Sequence, residues 1–423
     1  MSKGRKKRTR GHGEGTIYQR EDGRWAAQVS LGTNPKTGKR IRKTFSGKTR
    51  QEVATQLTKT LHRVHTGTIA NPDKITLGEW LDLWVETYAK PVIRPSTYDS
   101  YRQLIDTHIK PGLGHIPLQK LQPYHIQQFY NERMTAKRQP KTIPKDENEA
   151  KELMEKMPTL SPATVKHMHV VLNQALKQAE RERRIITNPA NAVKPPKITR
   201  QEAAYLDAEQ INKFLEEISK DRWYTVFLFA FGTGMRLGEV CALRWENVDL
   251  EKGIVRVRES VRRVKNDDPA GPKTLLLIQP PKTEKGKRTI PLPEGVLMEL
   301  KKHKERQENL KLHIGKMYNE QGLVFTWENG RMIDPSYLSK YFRQVADKLG
   351  FKEVTFHNLR HSYASALLAT GEHPKVVQEL LGHSQVGVTL DIYSHVSPDL
   401  KERAAEKIDG FLGIKKTSHD RED

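Results

Sequence analysis

Near its middle the chain reads TNPANAVKPPKITRQEAAYL, and no single helix or strand can run through that stretch. Pro189, Pro195 and Pro196 each fix one backbone torsion and remove one amide donor, and each pushes the residue before it out of helical geometry. The 423 residues must therefore divide, with folded units on either side of a basic linker at 189–202. Lys194 and Lys197 in that linker are candidate contacts for a polyanion.

Upstream of the linker the hydrophobic period changes from two to that of a helix. Residues 1–12 form a basic arm with no apolar run of the kind a signal peptide needs. TIYQR, RWAAQVSL and KRIRKTF then alternate, separated by the turn compositions EDG and NPKTGK. The pattern predicts a three-stranded sheet followed by a helix near 49–66, a unit spanning 13–67. Alternation puts Trp25, Ala27, Val29, Leu31, Ile41 and Phe45 against the helix and leaves Arg24, Gln28, Arg40 and Arg42 on the open face. Such a face suits a DNA major groove, although an ordinary solvated sheet face has the same pattern.

Residues 75–188 read as a helical bundle. ITLGEWLDLWVETYA places Leu77, Trp80, Leu81, Trp84, Val85 and Tyr88 on one stripe, the mark of a core-facing helix. Further helices are expected from Ser96, over 124–135 and over 162–183, with a charged, proline-bearing surface insertion at about 137–160. Beyond the linker, 203–396 opens with the capped helix DAEQINKFLEEI and the apolar helix WYTVFLFAFGTGM. A β-hairpin running from GIVRVRES through TLLLIQ to RTIPLP follows, then more helices. In 397–423, Leu400, Ala404, Ile408 and Phe411 or Leu412 recur at helical spacing. The expected fold class is multidomain and mainly α with small β elements: a sheet-plus-helix unit, a helical bundle and a mixed α/β domain.

The charge narrows the partners. With 73 Lys and Arg against 51 Asp and Glu, the net charge is +22, the footprint of a nucleic-acid partner. No apolar run is long enough to span a bilayer, so a membrane role and a location outside the cytoplasm are not expected. Cys241, the single cysteine, sits in EVCALRW and reads as a buried thiol. GTGMRLG does not match GxGxxG and no P-loop occurs, so neither ATP nor another cofactor is expected.

The last third presents, in order, Arg236 in TGMRLGEV, Lys282 in PPKTEKGKR, His357 and Arg360 in HNLRH, His383 in LGH and Tyr393 in DIYSHV. Cations, two imidazoles and a phenol can manage a phosphodiester, and the carboxylate cluster of a magnesium-dependent nuclease is missing. Arg236 falls where an unpaired cation would be costly, and Glu239, three residues on, can hold its guanidinium from behind. Lys285, Lys287 and Arg288 compete with Lys282 for its role. His357 and Arg360 lie one helical turn apart and can grip one phosphate. His361 is four residues from His357, but no third ligand follows at zinc-site spacing, so no metal is expected. His383 caps a helix end, and Tyr393 alone would read as packing.

The order of these segments resembles the tyrosine recombinases, the phage-type integrases. The resemblance covers 236–393 as that family's catalytic domain and about 75–188 as its SAM-like core-binding domain, with the N-terminal unit resembling an arm-binding domain. It implies that Tyr393 attacks a DNA phosphate to form a 3′-phosphotyrosine, and that Arg236 and Arg360 stabilise the transition state. His357 and His383 would donate hydrogen bonds and move the phenol proton, Lys282 would protonate the leaving 5′ oxygen, and Glu239 would support Arg236. It further implies core-type and arm-type sites on double-stranded DNA and a tetramer on DNA, with room for a host DNA-bending protein and an excision factor. A type IB topoisomerase and a catalytically silent DNA-binding protein are the alternatives.

Overall fold

The computed structural model describes residues 15–33, 38, 40–65, 75–138, 146–199, 204–266, 268, 270–281 and 283–383, together with 387, 390, 408, 411 and 412. The basic arm, Lys282, Tyr393, Leu400 and Ala404 lie outside the described residues. Contacts divide the chain into two compact units, Met1–Thr199 and Arg200–Asp423.

In the first unit, β1 (Thr16–Gln19), β2 (Trp25–Thr33) and β3 (Arg40–Gly47) form an antiparallel sheet in that order, followed by α1 (Arg50–His65). Ala27 and Val29 on β2 pack with Val53 and Leu57 of α1 as its small core. A register shift between Ser30 and Gly32 lets Ser30 face Arg42 and Thr33 face Arg40, so strict alternation stops there. The side chain of Leu31, predicted for the core face, is outside what is described.

The helical bundle has a separate core. It comprises α2 (Leu77–Trp84), α3 (Pro95–Leu104), α4 (Lys110–Leu113), α5 (Pro123–Thr135), α6 (Glu147–Lys156) and α7 (Pro162–Arg181). Thr76 and Glu79 cap α2 reciprocally: the Thr76 hydroxyl accepts from the Glu79 amide at 3.2 Å, and the Glu79 carboxylate accepts from the Thr76 amide at 2.8 Å. Trp80 is fully buried and its indole donates to the Ala175 carbonyl at 2.9 Å, tying α2 to α7. The stripe prediction fails at Tyr88, which is 38% exposed. After Trp84 the helix widens into a π turn, Val85–Ala89, closed by the Lys90 amide on the Val85 carbonyl at 2.9 Å. The extra residue per turn rotates Ala89 into the core and Tyr88 out towards Glu182. Helix α3 begins at Pro95 rather than Ser96, because proline is favoured at the first helical position, where no amide donor is needed. The predicted insertion holds α6, whose N-terminus is capped by the Asp146 carboxylate.

The second unit begins with α8 (Ala208–Glu217), α9 (Tyr224–Thr233) and α10 (Leu237–Cys241). The predicted single hairpin is instead two sheets. β4 (Val248–Asp249), β5 (Ile254–Val257) and β8 (Arg288–Pro291) form one, and β6 (Ser260–Lys265) with β7 (Thr274–Gln279) forms the other. β5 prefers the later strand because Val255 and Ile290, both fully buried, meet in that register. Helices α11 (Glu294–Ile314), α12 (Pro335–Lys348), α13 (Phe356–Ala369) and α14 (Pro374–Leu381) complete it. Phe214, Phe227, Phe342 and Phe356 join α8, α9, α12 and α13, with Phe214 and Phe342 ring centroids 5.0 Å apart. Cys241 is buried. Among the described residues no helix is long and apolar enough to cross a membrane. Replacing Trp80 by alanine removes a fully buried indole from the bundle core together with its hydrogen bond. A destabilisation of about 3–5 kcal/mol is expected, read as a lower unfolding midpoint in urea.

Candidate active site

Helix α9 ends at Gly234, whose φ of 60° is the left-handed conformation that stops a helix. A Cβ there would sit 2.6 Å from a Tyr363 ring carbon and 2.9 Å from Leu381, so only glycine fits. The chain then turns at once into Arg236, which caps α10. Its Nη1 donates to the Glu239 carboxylate at 2.9 Å, and its backbone amide donates to the other carboxylate oxygen at 3.0 Å. The Arg236 side chain is 39% exposed and Glu239 3%. The carboxylate thus holds the arginine from the protein side and leaves its outer edge open.

Helix α13 contributes the second cation. Its first turn is set by Thr355 and Asn358, whose side chain accepts from the Thr355 amide at 2.7 Å. Leu359 is buried in the core while Arg360, 2% exposed, donates to the carbonyls of Gly234, at 3.0 Å, and Leu381. Arg360 thereby ties the ends of α9 and α14 together. Helix α14 stops at Gly382, φ 65°, and the Gln378 side chain donates to the His383 carbonyl at 3.0 Å. That fixes the backbone presenting His383.

Arg236, His357 and Arg360, with Ser339 and Thr355, line a pocket of about 200 Å³. Burial is the largest cause lowering the His357 pKa to about 4, followed by the charges of His361, Arg360 and Arg236. Burial, then Arg360 and Arg236, pushes His383 down to about 3. Burial also lowers Arg360, with Arg236 and Arg288 adding to it. An excess of positive charge therefore stands around the pocket, which suits a phosphate. Glu239 runs the other way: burial alone would raise its pKa, but Arg288 and Arg236 outweigh it and hold the carboxyl below its ordinary value.

Of the predicted set, Arg236, His357 and Arg360 come together at the pocket with Glu239 bonded to Arg236, and His383 feels the same charges. Arg288 has a role the sequence reading did not assign: its Nη2 donates to Glu239 at 2.8 Å. The available signal was its place two residues before the buried Ile290 on one strand, which puts it on the inward face. The His357 and His361 rings lie 5.1 Å apart, but among the described residues no group of three His, Cys, Asp or Glu could hold a metal. A larger cleft of about 540 Å³ lies beside α9 and α11. Its polar groups are engaged with one another, Arg306 and Thr225 on Glu299 and Arg222 over the Trp223 and Trp327 rings.

The predicted DNA contacts lie elsewhere. Arg24, Arg40 and Arg42 are exposed, and Gln28 reaches Thr44 across the sheet at 3.5 Å. Lys194 and Lys197 are exposed on the irregular stretch after Ala192.

Residues 204–399 match the Phage integrase family, and 76–134 match its N-terminal SAM-like domain. A tyrosine recombinase XerC-like protein of Caldanaerobacter subterraneus is 31% identical, over 91% of this chain and 95% of its own. The chain belongs to the tyrosine recombinase, or phage integrase, family. It is a DNA strand-transferring enzyme. The ICEBs1 integrase of Bacillus subtilis is 26% identical over 94% of this chain and all of its own. Among solved structures, the Tn1549 transposon integrase bound to a circular intermediate DNA matches with a TM-score of 0.61, covering 79% of this chain and 99% of that one at 20% identity. A lambda integrase dimer on a COC′ core site matches at 0.51, covering 92% and 96%, also at 20% identity. Recombinases and integrases thus match along nearly the whole recombinase chain, and the topoisomerase and silent-binder alternatives are not favoured.

The depressed imidazole pKa values make the DNA-free protein acid-sensitive. Because the folded state resists protonation that the unfolded chain accepts, their contribution is complete above about pH 6.5 and is lost as pH falls towards about 4 for His357 and about 3 for His383. The drop in melting temperature between about pH 7 and about pH 5 should shrink in the His357→Gln/His383→Gln double variant.

Proposed function

We propose that this recombinase is the integrase of a phage or conjugative element, cutting and rejoining duplex DNA at defined sites through a 3′-phosphotyrosine. The observation that carries the reading is the convergence of Arg236, His357 and Arg360 on one pocket, backed by Glu239. In the proposed step the Tyr393 phenol oxygen forms a bond to the scissile phosphorus while the bond to the 5′ oxygen breaks. His357 and His383 carry the phenol proton away, and Lys282 gives a proton to the departing 5′ oxygen. Arg236 and Arg360 stabilise the negative charge that builds on the nonbridging oxygens. The phosphotyrosyl ester conserves the energy of the broken bond, so attack by a new 5′ hydroxyl reseals DNA without ATP.

The remaining predicted contacts address that chemistry to particular DNA. Arg24, Gln28, Arg40 and Arg42 meet an arm-type site, while the helical bundle with Lys194 and Lys197 meets the core-type site. The lambda integrase tetramer on a Holliday junction supports assembly of four copies on DNA. A host DNA-bending protein and an excision factor are the accessory partners such an architecture would use, acting in the bacterial cytoplasm.

Two measurements test the reading. With a nicked suicide duplex carrying the element's junction, Tyr393→Phe should form no covalent protein–DNA adduct and yet bind with unchanged affinity. Adduct formation by that variant would falsify the nucleophile. On arm-type DNA, Arg40→Ala/Arg42→Ala should reduce the slope of log affinity against log salt by about 2, since each phosphate contact contributes about 0.9. An unchanged slope removes those residues from the interface.

A further inference from the structure

Arg288 is the first residue of β8, following the turn that carries Lys282 in sequence. Its side chain is 5% exposed, so unlike Arg236 it turns away from the pocket mouth. Three acceptors hold it: Nη2 donates to Glu239 at 2.8 Å, Nε to the Leu380 carbonyl at 2.6 Å, and Nη1 to the Gly286 carbonyl at 3.2 Å. Those acceptors belong to α10, to the last turn of α14 and to the turn before β8. The packing between them is close: a Cβ on Gly382 would stand 2.7 Å from the Lys285 carbonyl and 3.0 Å from Arg288 Cδ.

We propose that Arg288 is a positioning residue that fixes Glu239 against Arg236 and clamps the turn just before β8 to the end of α14, so that Arg236 and the backbone presenting His383 are held on a phosphate as one unit. The inference rests on the roles given above to Arg236 and His383. A guanidinium suits the task because its planar fork reaches several acceptors at fixed angles, which an ammonium cannot. The charged groups facing Glu239 are Arg236 on α10, Arg288 on β8 and Arg360 on α13. Without Arg288 the buried carboxylate loses one of its two hydrogen-bonded cations. It then protonates more readily, and its hold on Arg236 loosens as pH falls.

The test is single-turnover cleavage of the nicked suicide duplex at saturating protein, with affinity for an intact duplex measured in parallel. Arg288→Met should slow cleavage by about 100-fold, the cost of a small misplacement of catalytic groups, while affinity changes much less. Its rate should fall with decreasing pH where the wild-type rate is flat. In Arg288→Met/Glu239→Gln that added acid limb should be absent, and the two substitutions should combine less than additively. Arg288→Lys should recover part of the rate. Wild-type cleavage by Arg288→Met, or a rate loss matched by lost affinity and unrelieved by lysine, overturns the inference. Arg236→Ala separates the two levels. If it is inactive while Arg288→Met is fully active, only the role of Arg288 falls; if it cleaves normally, the site assignment itself falls.

Discussion

A buried arginine needs acceptors that satisfy its hydrogen bonds without cancelling its charge, and the site is assembled around that requirement. Arg236 and Arg288 share a single buried carboxylate, Glu239, whose charge also acts on Arg360. The other acceptors for Arg360 and Arg288 are mostly carbonyls at helix ends: Gly234 after α9, and Leu380 and Leu381 at the end of α14. The last carbonyls of a helix have no partner within it and carry a partial negative charge. Two C-terminal turns therefore converge on two arginines and make their burial tolerable while the net charge stays positive. The left-handed glycines at 234 and 382 follow from this arrangement, because they end both helices where those carbonyls are needed.

The same positive field acts on the imidazoles. With His357 and His383 depressed well below their ordinary pKa, chiefly by burial, both imidazoles are neutral at physiological pH. Under the function proposed above, a phosphodiester beside these rings would offset the repulsion from the arginines and raise their proton affinity. Proton handling would thereby be coupled to binding. An arrangement of this kind stabilises a developing charge by fixed cations that need not reorganise during the reaction.

How much of this could be read from residues depended on whether local chemistry restricted the choice. The Thr76–Glu79 capping box, the Trp80 stripe and the turn-separated alternation before Gly47 are local patterns, and the elements follow them. The Arg236–Glu239 pair and the His357–Arg360 spacing were visible for the same reason. Tyr88 was misplaced because a π turn is created by how the bundle packs, and no periodicity announces it. The split into two sheets arose because β5 pairs with a strand more than thirty residues later, across an intervening hairpin. Arg288 was only one of several turn cations until its three acceptors, drawn from distant parts of the chain, were known. Long-range partner choice is what a one-dimensional reading lacks.

The pocket also limits where specificity can arise. A phosphodiester offers the same nonbridging oxygens whatever bases flank it, so arginines and imidazoles that grip one carry almost no sequence information. Tighter binding there would raise affinity for every DNA alike, with a strong salt dependence. Selection of a site must come from surfaces that meet base edges or deform the duplex. Under the function proposed above, that task falls outside the pocket, and the polar face of the N-terminal sheet, where Arg40 and Arg42 stand exposed opposite Thr33 and Ser30, is a candidate to help position the chain on such a site. Its core is small, built on Ala27, Val29, Val53 and Leu57, and gives little reserve of stability. A unit of that size is easily retuned on its open face while the buried arginine cluster, locked by helix ends and one shared carboxylate, admits few substitutions. Recognition can change in such a chain without disturbing the chemistry, because the two are held by different kinds of forces: exposed charge in one case and buried, directional hydrogen bonds in the other.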